Sequence, residues 1–332
     1  MTGPLLTVSD LTVDLRVDGQ PKRVLEDVSF SVAEGEAMGL VGESGSGKSM
    51  TARALLRLLP RGASVTGSVR CGDREVLSLG REELRRYRSR DVAMIFQDPQ
   101  AHINPVHRIG SFLIEPSVQS GVPRSEATAR ASRLLDDVGI SEPQVRMHQY
   151  PHELSGGMLQ RVMIAAALMH EPRLLLADEP TTALDVTTQS EVMAILDDLR
   201  QERGLSLVFI THDLDIAVAV CQRITVLYAG SVLESRPAIA LHDDPAHPYS
   251  SALIRCRPPL ERRLDRLPSV SGRPVSAFEA GSGCVFGERC EHAETRCHDE
   301  RPPLEHLADG VVRCHRHGDL AGLLQPIQRW VP

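Results

Sequence analysis

The run Gly42-Glu43-Ser44-Gly45-Ser46-Gly47-Lys48-Ser49 places glycine, lysine and hydroxyl groups at the spacing G-x-x-x-x-G-K-S. Glycines let the backbone turn so that successive N–H groups point inward at phosphate oxygens. A helix beginning at Met50 would add the positive end of its dipole. Lys48 then suits the β- and γ-phosphates of a nucleotide, and Ser49 suits a Mg2+ ion. A second constellation is Asp178-Glu179, which closes the aliphatic run Leu174-Leu175-Leu176-Ala177. A strand buried on both faces delivers acids at its carboxyl end, where ligands of parallel sheets bind. Asp178 is suited to hold Mg2+ through water, and Glu179 to polarise an attacking water. A flexible Gly/Ser turn and a solvated Asp-Glu turn are the plain alternatives; the apolar flanks of both motifs weigh against them.

Such groups need a scaffold, and the hydrophobic pattern supplies one. Alternation with period two over residues 6–15 and 28–32 predicts a half-buried antiparallel sheet. The continuous apolar run Ala37-Met38-Gly39-Leu40-Val41 predicts a strand buried on both faces, and residues 50–59 a helix ended by Pro60. Further short aliphatic runs at 92–96, 174–177, 207–210 and 224–227 alternate with helical stretches such as 189–203. That order predicts an α/β fold with a mostly parallel core sheet. Residues 108–169 read as helix after helix, an insertion, and beyond Ser235 the composition shifts to Pro, Arg and His. The expected domains are therefore 1–107 with 170–235 as the core, 108–169 as a helical subdomain, and 236–332 as a C-terminal extension.

Leu154-Ser155-Gly156-Gly157-Met158 precedes the two acids by about twenty residues. Together with Phe96-Gln97-Asp98-Pro99, Ala183-Leu184-Asp185 and Thr211-His212-Asp213, it makes the chain resemble an ABC-type ATPase subunit. The resemblance implies ATP and Mg2+ as ligands, with a P-loop core and an N-terminal antiparallel β subdomain. It also implies a head-to-tail dimer, in which the Ser155-Gly156-Gly157 segment of one chain closes over ATP held by the other, with Asp185 beside the nucleotide. Gln97 would join Mg2+ and couple hydrolysis to the helical segment after it, while His212 would hold the attacking water in line. Two positions depart from the pattern: no aromatic stands near Leu15, where the superfamily often stacks adenine, and Leu159 replaces a common Arg.

Phe96-Gln97-Asp98-Pro99 continuing to Ile109-Gly110, and Pro245-Ala246-His247-Pro248-Tyr249, resemble the dipeptide/oligopeptide and nickel importer ATPases. So does the tail Gly283-Cys284-Val285-Phe286 with Arg289-Cys290, Arg296-Cys297 and Cys314-His315. That family implies two integral-membrane permease subunits, a second ABC ATPase subunit (a paralogue, or a second copy), an extracytoplasmic substrate-binding protein, and a peripheral place on the cytoplasmic face of the membrane. Cys284, Cys290, Cys297 and Cys314 are separated by five, six and sixteen residues, which is neither a zinc knuckle nor a redox pair. Four thiolates suit Zn2+ or an iron–sulfur cluster; the resemblance favours a 4Fe-4S cluster.

The remaining features exclude more than they suggest. The longest apolar run, residues 162–169, is far short of the ~20 needed to span a bilayer. The N-terminus lacks the basic and apolar regions of a secretory signal, which predicts a cytoplasmic chain. A formal net charge of −7 and 3% aromatic residues speak against nucleic acid as a partner. Five arginines at positions 81–90 are accompanied by Glu82 and Glu83, and read as a solvated helix face. The arginine-rich run 255–273 reads as a surface connector. Among ABC-type rivals, the mechanical ATPases separate phosphate loop and signature by long heptad arms, whereas Lys48 and Ser155 are 107 residues apart. An exporter ATPase remains the alternative on phosphate chemistry alone.

Overall fold

The computed structural model of the chain describes residues 3–181, 184–256 and 270–324. Ala183 and most of the arginine-rich run 255–273 therefore lie outside the described residues. Contacts divide the chain into two compact units, Met1–Leu79 with Phe209–Pro332, and Gly80–Val208. Along the chain the strands are β1 (Leu6–Val17), β2 (Gln20–Val32), β3 (Ala37–Val41), β4 (Ser64–Cys71), β5 (Arg74–Glu75), β6 (Val92–Ile95), β7 (Leu174–Asp178), β8 (Ser206–Thr211), β9 (Arg223–Tyr228), β10 (Ser231–Pro237), β11 (Glu305–His306) and β12 (Val311–Val312).

In the first unit β2, β1, β4 and β5 form an antiparallel sheet in that order. Val13 faces Leu25 and Leu15 faces Lys22 across β1 and β2. Leu6, Val8, Leu11, Val13, Leu25 and Val28 are buried, so the alternating pattern does mark one core-facing side. The register shifts between Val8 and Leu11, which is why the buried positions change parity there. A second sheet runs β11-β12-β10-β9-β3. Every residue of β3 is buried, as a strand covered on both faces requires, and β3 lies parallel to β9 with Val41 opposite Val226. The antiparallel strand β10 returns beside β9, and sequence reading passed over it because Glu234 and Ser235 interrupt its apolar pattern. Helix Leu214–Val220 packs close to β3: a Cβ on Gly39 would stand 3.3 Å from the Ala217 Cβ.

In the second unit β6 and β7 are parallel, with Val92 opposite Leu174 and Ile95 opposite Ala177. The arginine-rich stretch forms the helix Arg81–Arg86, whose residues are all at least partly exposed, and then a π-turn over Tyr87–Asp91 that buries the Tyr87 ring. Helices Ile109–Gln119, Arg124–Asp137, Pro143–Met147 and Gly156–Leu168 fill the expected helical stretch. Their shared core holds Leu113, Ala127, Ala131, Leu134, Val162 and Ala165. Small side chains on one face of Arg124–Asp137 let its neighbours approach closely. Among the described residues no helix is long and apolar enough to cross a membrane.

Candidate functional site

The residues singled out by sequence fall into both units. The first carries residues 42–50 and His212; the second carries Gln97, Ser155, Gly156, Gly157, Asp178, Glu179 and Asp185.

The loop after β3 turns tightly before helix Lys48–Leu55. A side chain at Gly42 would place its Cβ 2.1 Å from the Leu227 carbonyl oxygen. Gly47 caps the helix at φ 107°, and a Cβ there would meet Leu25 Cδ2 at 2.6 Å. Only glycine fits either place. Lys48 is 5% exposed, and its ammonium donates to the carbonyl oxygens of Gly42 (2.8 Å) and Glu43 (3.0 Å). Ser44 and Gly45 at the crest are exposed. Ser46 Oγ is buried without a hydrogen-bond partner, an arrangement that favours an incoming acceptor or donor such as a phosphate. Behind the loop, the Gly230 N–H donates to the Ser46 carbonyl at 2.9 Å. Ser49 and Met50, in the first turn of the helix, are half-buried.

In the second unit the register of β6 and β7 accounts for the pairing of Gln97 with Glu179. Each lies two residues beyond the opposed pair Ile95 and Ala177, and Gln97 Nε2 donates to Glu179 Oε2 at 3.1 Å. Asp178 is buried at the end of β7. Glu179 takes φ 47°, a left-handed conformation that costs a non-glycine residue about 1 kcal/mol. Asp98 stops the chain from extending β6 by capping the short helix Pro99–His102, accepting from Gln100 and Ala101 amides.

Ser155 caps helix Gly156–Leu168, its Oγ accepting the Met158 N–H at 3.3 Å. The two glycines differ. A Cβ on Gly156 meets nothing within 4 Å, whereas one on Gly157 would stand 2.7 Å from Thr188 Cγ2. Thr188, which sequence reading missed, is also held by Asp185, the cap of helix Val186–Arg203. Asp185 accepts the Thr188 N–H at 3.0 Å and the Thr188 hydroxyl at 2.7 Å. These two bonds hold the Asp185 carboxyl below its usual range. Leu159, standing where an Arg is common, is buried.

His212 is exposed at the end of β8. The helix that follows, Leu214–Val220, is capped by Asp213, which accepts from the amides of Asp215 (2.9 Å) and Ile216 (3.2 Å).

Cys284, Cys290, Cys297 and Cys314 line one small cavity of about 10 Å³, with His247 and Phe286 beside them. Burial raises the Cys284 thiol, pushes that of Cys290 up to about 11 and that of Cys314 up to about 12. None of the four is in a disulfide. Among the described residues no group of three or more His, Cys, Asp or Glu could hold a metal ion as they stand. An aromatic also stands in the tail where β1 offers none: Phe278 is 53% exposed, and Lys22, the cross-strand neighbour of Leu15, sets its ammonium 4.9 Å from the ring centroid.

Residues 25–182 match the family model described as ABC transporter, and residues 233–297 that of the oligopeptide/dipeptide transporter, C-terminal region. The oligopeptide transport ATP-binding protein OppD of Escherichia coli strain K12 is 41% identical, over 93% of this chain and 92% of that one. The dipeptide transport ATP-binding protein DppD of the same strain is 41% identical, over 96% and 98%. Among solved structures, the dimeric ATP-binding cassette MJ0796 in a post-hydrolysis state, bound to ADP and phosphate, superposes with a TM-score of 0.63 at 28% identity, over 70% of this chain and 98% of that one. With an ABC-type phosphate loop in one unit and the paired Gln97 and Glu179 in the other, the chain belongs to the ABC transporter ATP-binding proteins, in their oligopeptide/dipeptide branch.

Proposed function

We propose that the chain binds and hydrolyses ATP to drive the import of peptides through a membrane complex. What carries the reading is the presence, in one chain, of the phosphate loop with its buried Lys48 and of a C-terminal region of the oligopeptide/dipeptide type. Gly42 to Ser49, with Met50, cradle the triphosphate, and Lys48 neutralises it. Ser49 in the first unit, and Gln97 and Asp178 in the second, are the residues that would hold Mg2+, which would supply positive charge to the phosphate oxygens. Glu179 accepts the proton of the attacking water; His212 keeps that water in line. Ser155, Gly156 and Gly157 offer an oriented hydroxyl and free amides at a helix N-terminus to the nucleotide of a second ATPase subunit, with Asp185 fixing that segment through Thr188. Phe278 provides the face on which adenine stacks. The partners are two integral-membrane permeases, a second ATPase subunit and an extracytoplasmic binding protein, with this chain peripheral on the cytoplasmic side.

In the tail, Cys284, Cys290, Cys297 and Cys314 hold a 4Fe-4S cluster. Support comes from the four thiols lining one cavity; at about 10 Å³ it has room for about one water as it stands, so the thiols must part to take either a cluster or Zn2+. Anaerobically purified protein is then brown, with roughly four irons per chain. One zinc and no colour would replace the cluster with Zn2+; no metal would leave four free thiols.

Import is tested by peptide uptake into vesicles holding the full complex. ATP-dependent uptake of di- and oligopeptides is expected, lost when Glu179→Gln replaces the parent chain. Outward movement of cargo would favour an exporter and overturn the reading.

A further inference from the structure

The phosphate loop contains an acid, Glu43, in a place meant for a polyanion. Its charge is answered from the far end of the chain. Arg289 ends the short turn Gly287–Arg289, directly before Cys290. Its side chain is 4% exposed and grips the Glu43 carboxylate with both terminal nitrogens, Nη1 to Oε2 at 2.6 Å and Nη2 to Oε1 at 3.1 Å. The other donors are spent on fixing the guanidinium: Nε on the Ser271 carbonyl (2.6 Å), Nη1 on the Tyr228 hydroxyl (3.2 Å) and Nη2 on the Val270 carbonyl (3.3 Å). Tyr228 and Phe286 present their rings within 5.5 and 5.9 Å of its central carbon. On the opposite side, the Glu43 N–H donates to the Tyr249 hydroxyl at 2.9 Å. The Glu43 carbonyl accepts from Lys48 at 3.0 Å. Glu43 is thus fixed by side chain, amide and carbonyl, and two of those three ties come from the C-terminal part of the chain.

We propose that Arg289 is a positioning residue for nucleotide binding, acting through Glu43. Without it, the charges of Lys48 and Glu43 cancel within the loop, and a carboxylate with 22% side-chain exposure would face an incoming triphosphate. With it, the loop keeps the net positive charge that a phosphate requires, and the Glu43 carbonyl stays where it anchors Lys48. A fork of two parallel bonds holds orientation as well as charge, which a lysine could not do. The inference rests on the reading that this loop binds ATP.

The test measures MgATP binding by the full chain, by calorimetry at low and moderate salt. Arg289→Ala is expected to weaken binding about tenfold, more at low ionic strength than at high. Arg289→Lys should fall between that variant and the parent. Since the defect is an unanswered carboxylate, Glu43→Gln combined with Arg289→Ala should bind ATP more tightly than Arg289→Ala alone. Parent-like affinity in Arg289→Ala, or no recovery in the double variant, would overturn the proposal while leaving the phosphate loop intact. A parent that bound no ATP would bring down both together.

Discussion

Gly156 and Gly157 are adjacent, yet alanine should be accepted at the first and refused at the second. Both lie in the first turn of helix Gly156–Leu168 at ordinary helical φ, so each Gly→Ala change gains about 0.5–1 kcal/mol in helix propensity. At Gly156 nothing opposes that gain. At Gly157 the new methyl would sit 2.7 Å from Thr188 Cγ2, nearly 1 Å inside ordinary contact. Rotating Thr188 away would cost its hydroxyl the 2.7 Å bond to Asp185, worth about 1.5 kcal/mol for a charged partner. Overpacking adds about 1–3 kcal/mol if the side chain stays. Gly157→Ala should therefore be destabilised by about 1–2 kcal/mol net, a fall of about 1–3 °C in Tm for a chain of this size. Gly156→Ala should match or exceed the parent, though turnover of the full complex should drop if a nucleotide approaches that open side. Thr188→Ser removes Cγ2 and keeps the hydroxyl, so it should restore the stability of Gly157→Ala. Scanning calorimetry of the full chain measures all four; equal melting of the two alanine variants, or no rescue by Thr188→Ser, would refute the steric account.

Three other expectations follow from the geometry. His212→Ala should retain ATP binding while losing turnover by about a hundredfold; equal losses of both would mean structural damage. Burial pushes the Glu234 carboxyl up to about 7 against the 3.7 Å contact of Arg236 and the amides of Ala246 and His247. The folded state then binds more protons than the unfolded one between pH 4.5 and 7, so stability should fall by about 3 kcal/mol as pH rises through that window. Urea titrations should show this slope in the parent and a flatter one in Glu234→Gln. Phe278→Ala should weaken ATP about tenfold or more and leave pyrophosphate binding unchanged; parallel losses would remove Phe278 from base recognition.

Local chemistry was legible in the sequence because its parts are contiguous. The loop from Gly42 to Ser49 and the acids closing β7 are each written within ten residues, and β3 and β7 announce themselves by unbroken apolar runs. Gln97 meets Glu179 because two parallel strands share a register, and neither strand's composition states that register. The Glu43–Arg289 pair joins positions 246 residues apart, and no periodicity encodes such a partner. Thr188 was invisible for a different reason: its role lies in the space it occupies against Gly157, and helix Val186–Arg203 would read the same with serine there. β10 escaped notice because Glu234, wholly buried, is satisfied by amides of the chain ahead of helix Pro248–Arg255, so a strand that looks half polar is covered on all sides.

The hairpin of β11 and β12 bears on solubility. β12 pairs with β10 through Glu234 and Ser235, and the Arg313 N–H donates to the Leu233 carbonyl at 2.8 Å. The hairpin thereby occupies the hydrogen-bonding row that β10 would otherwise present as an open border. Its own outer strand is two residues long, too short to template another chain. A protein truncated before Glu305 would leave Val232, Leu233 and their unpaired main-chain groups as an exposed edge beside an apolar core. Such an edge recruits strands from neighbouring molecules. Removing a stretch that carries none of the phosphate-loop residues is thus expected to make the protein self-associate.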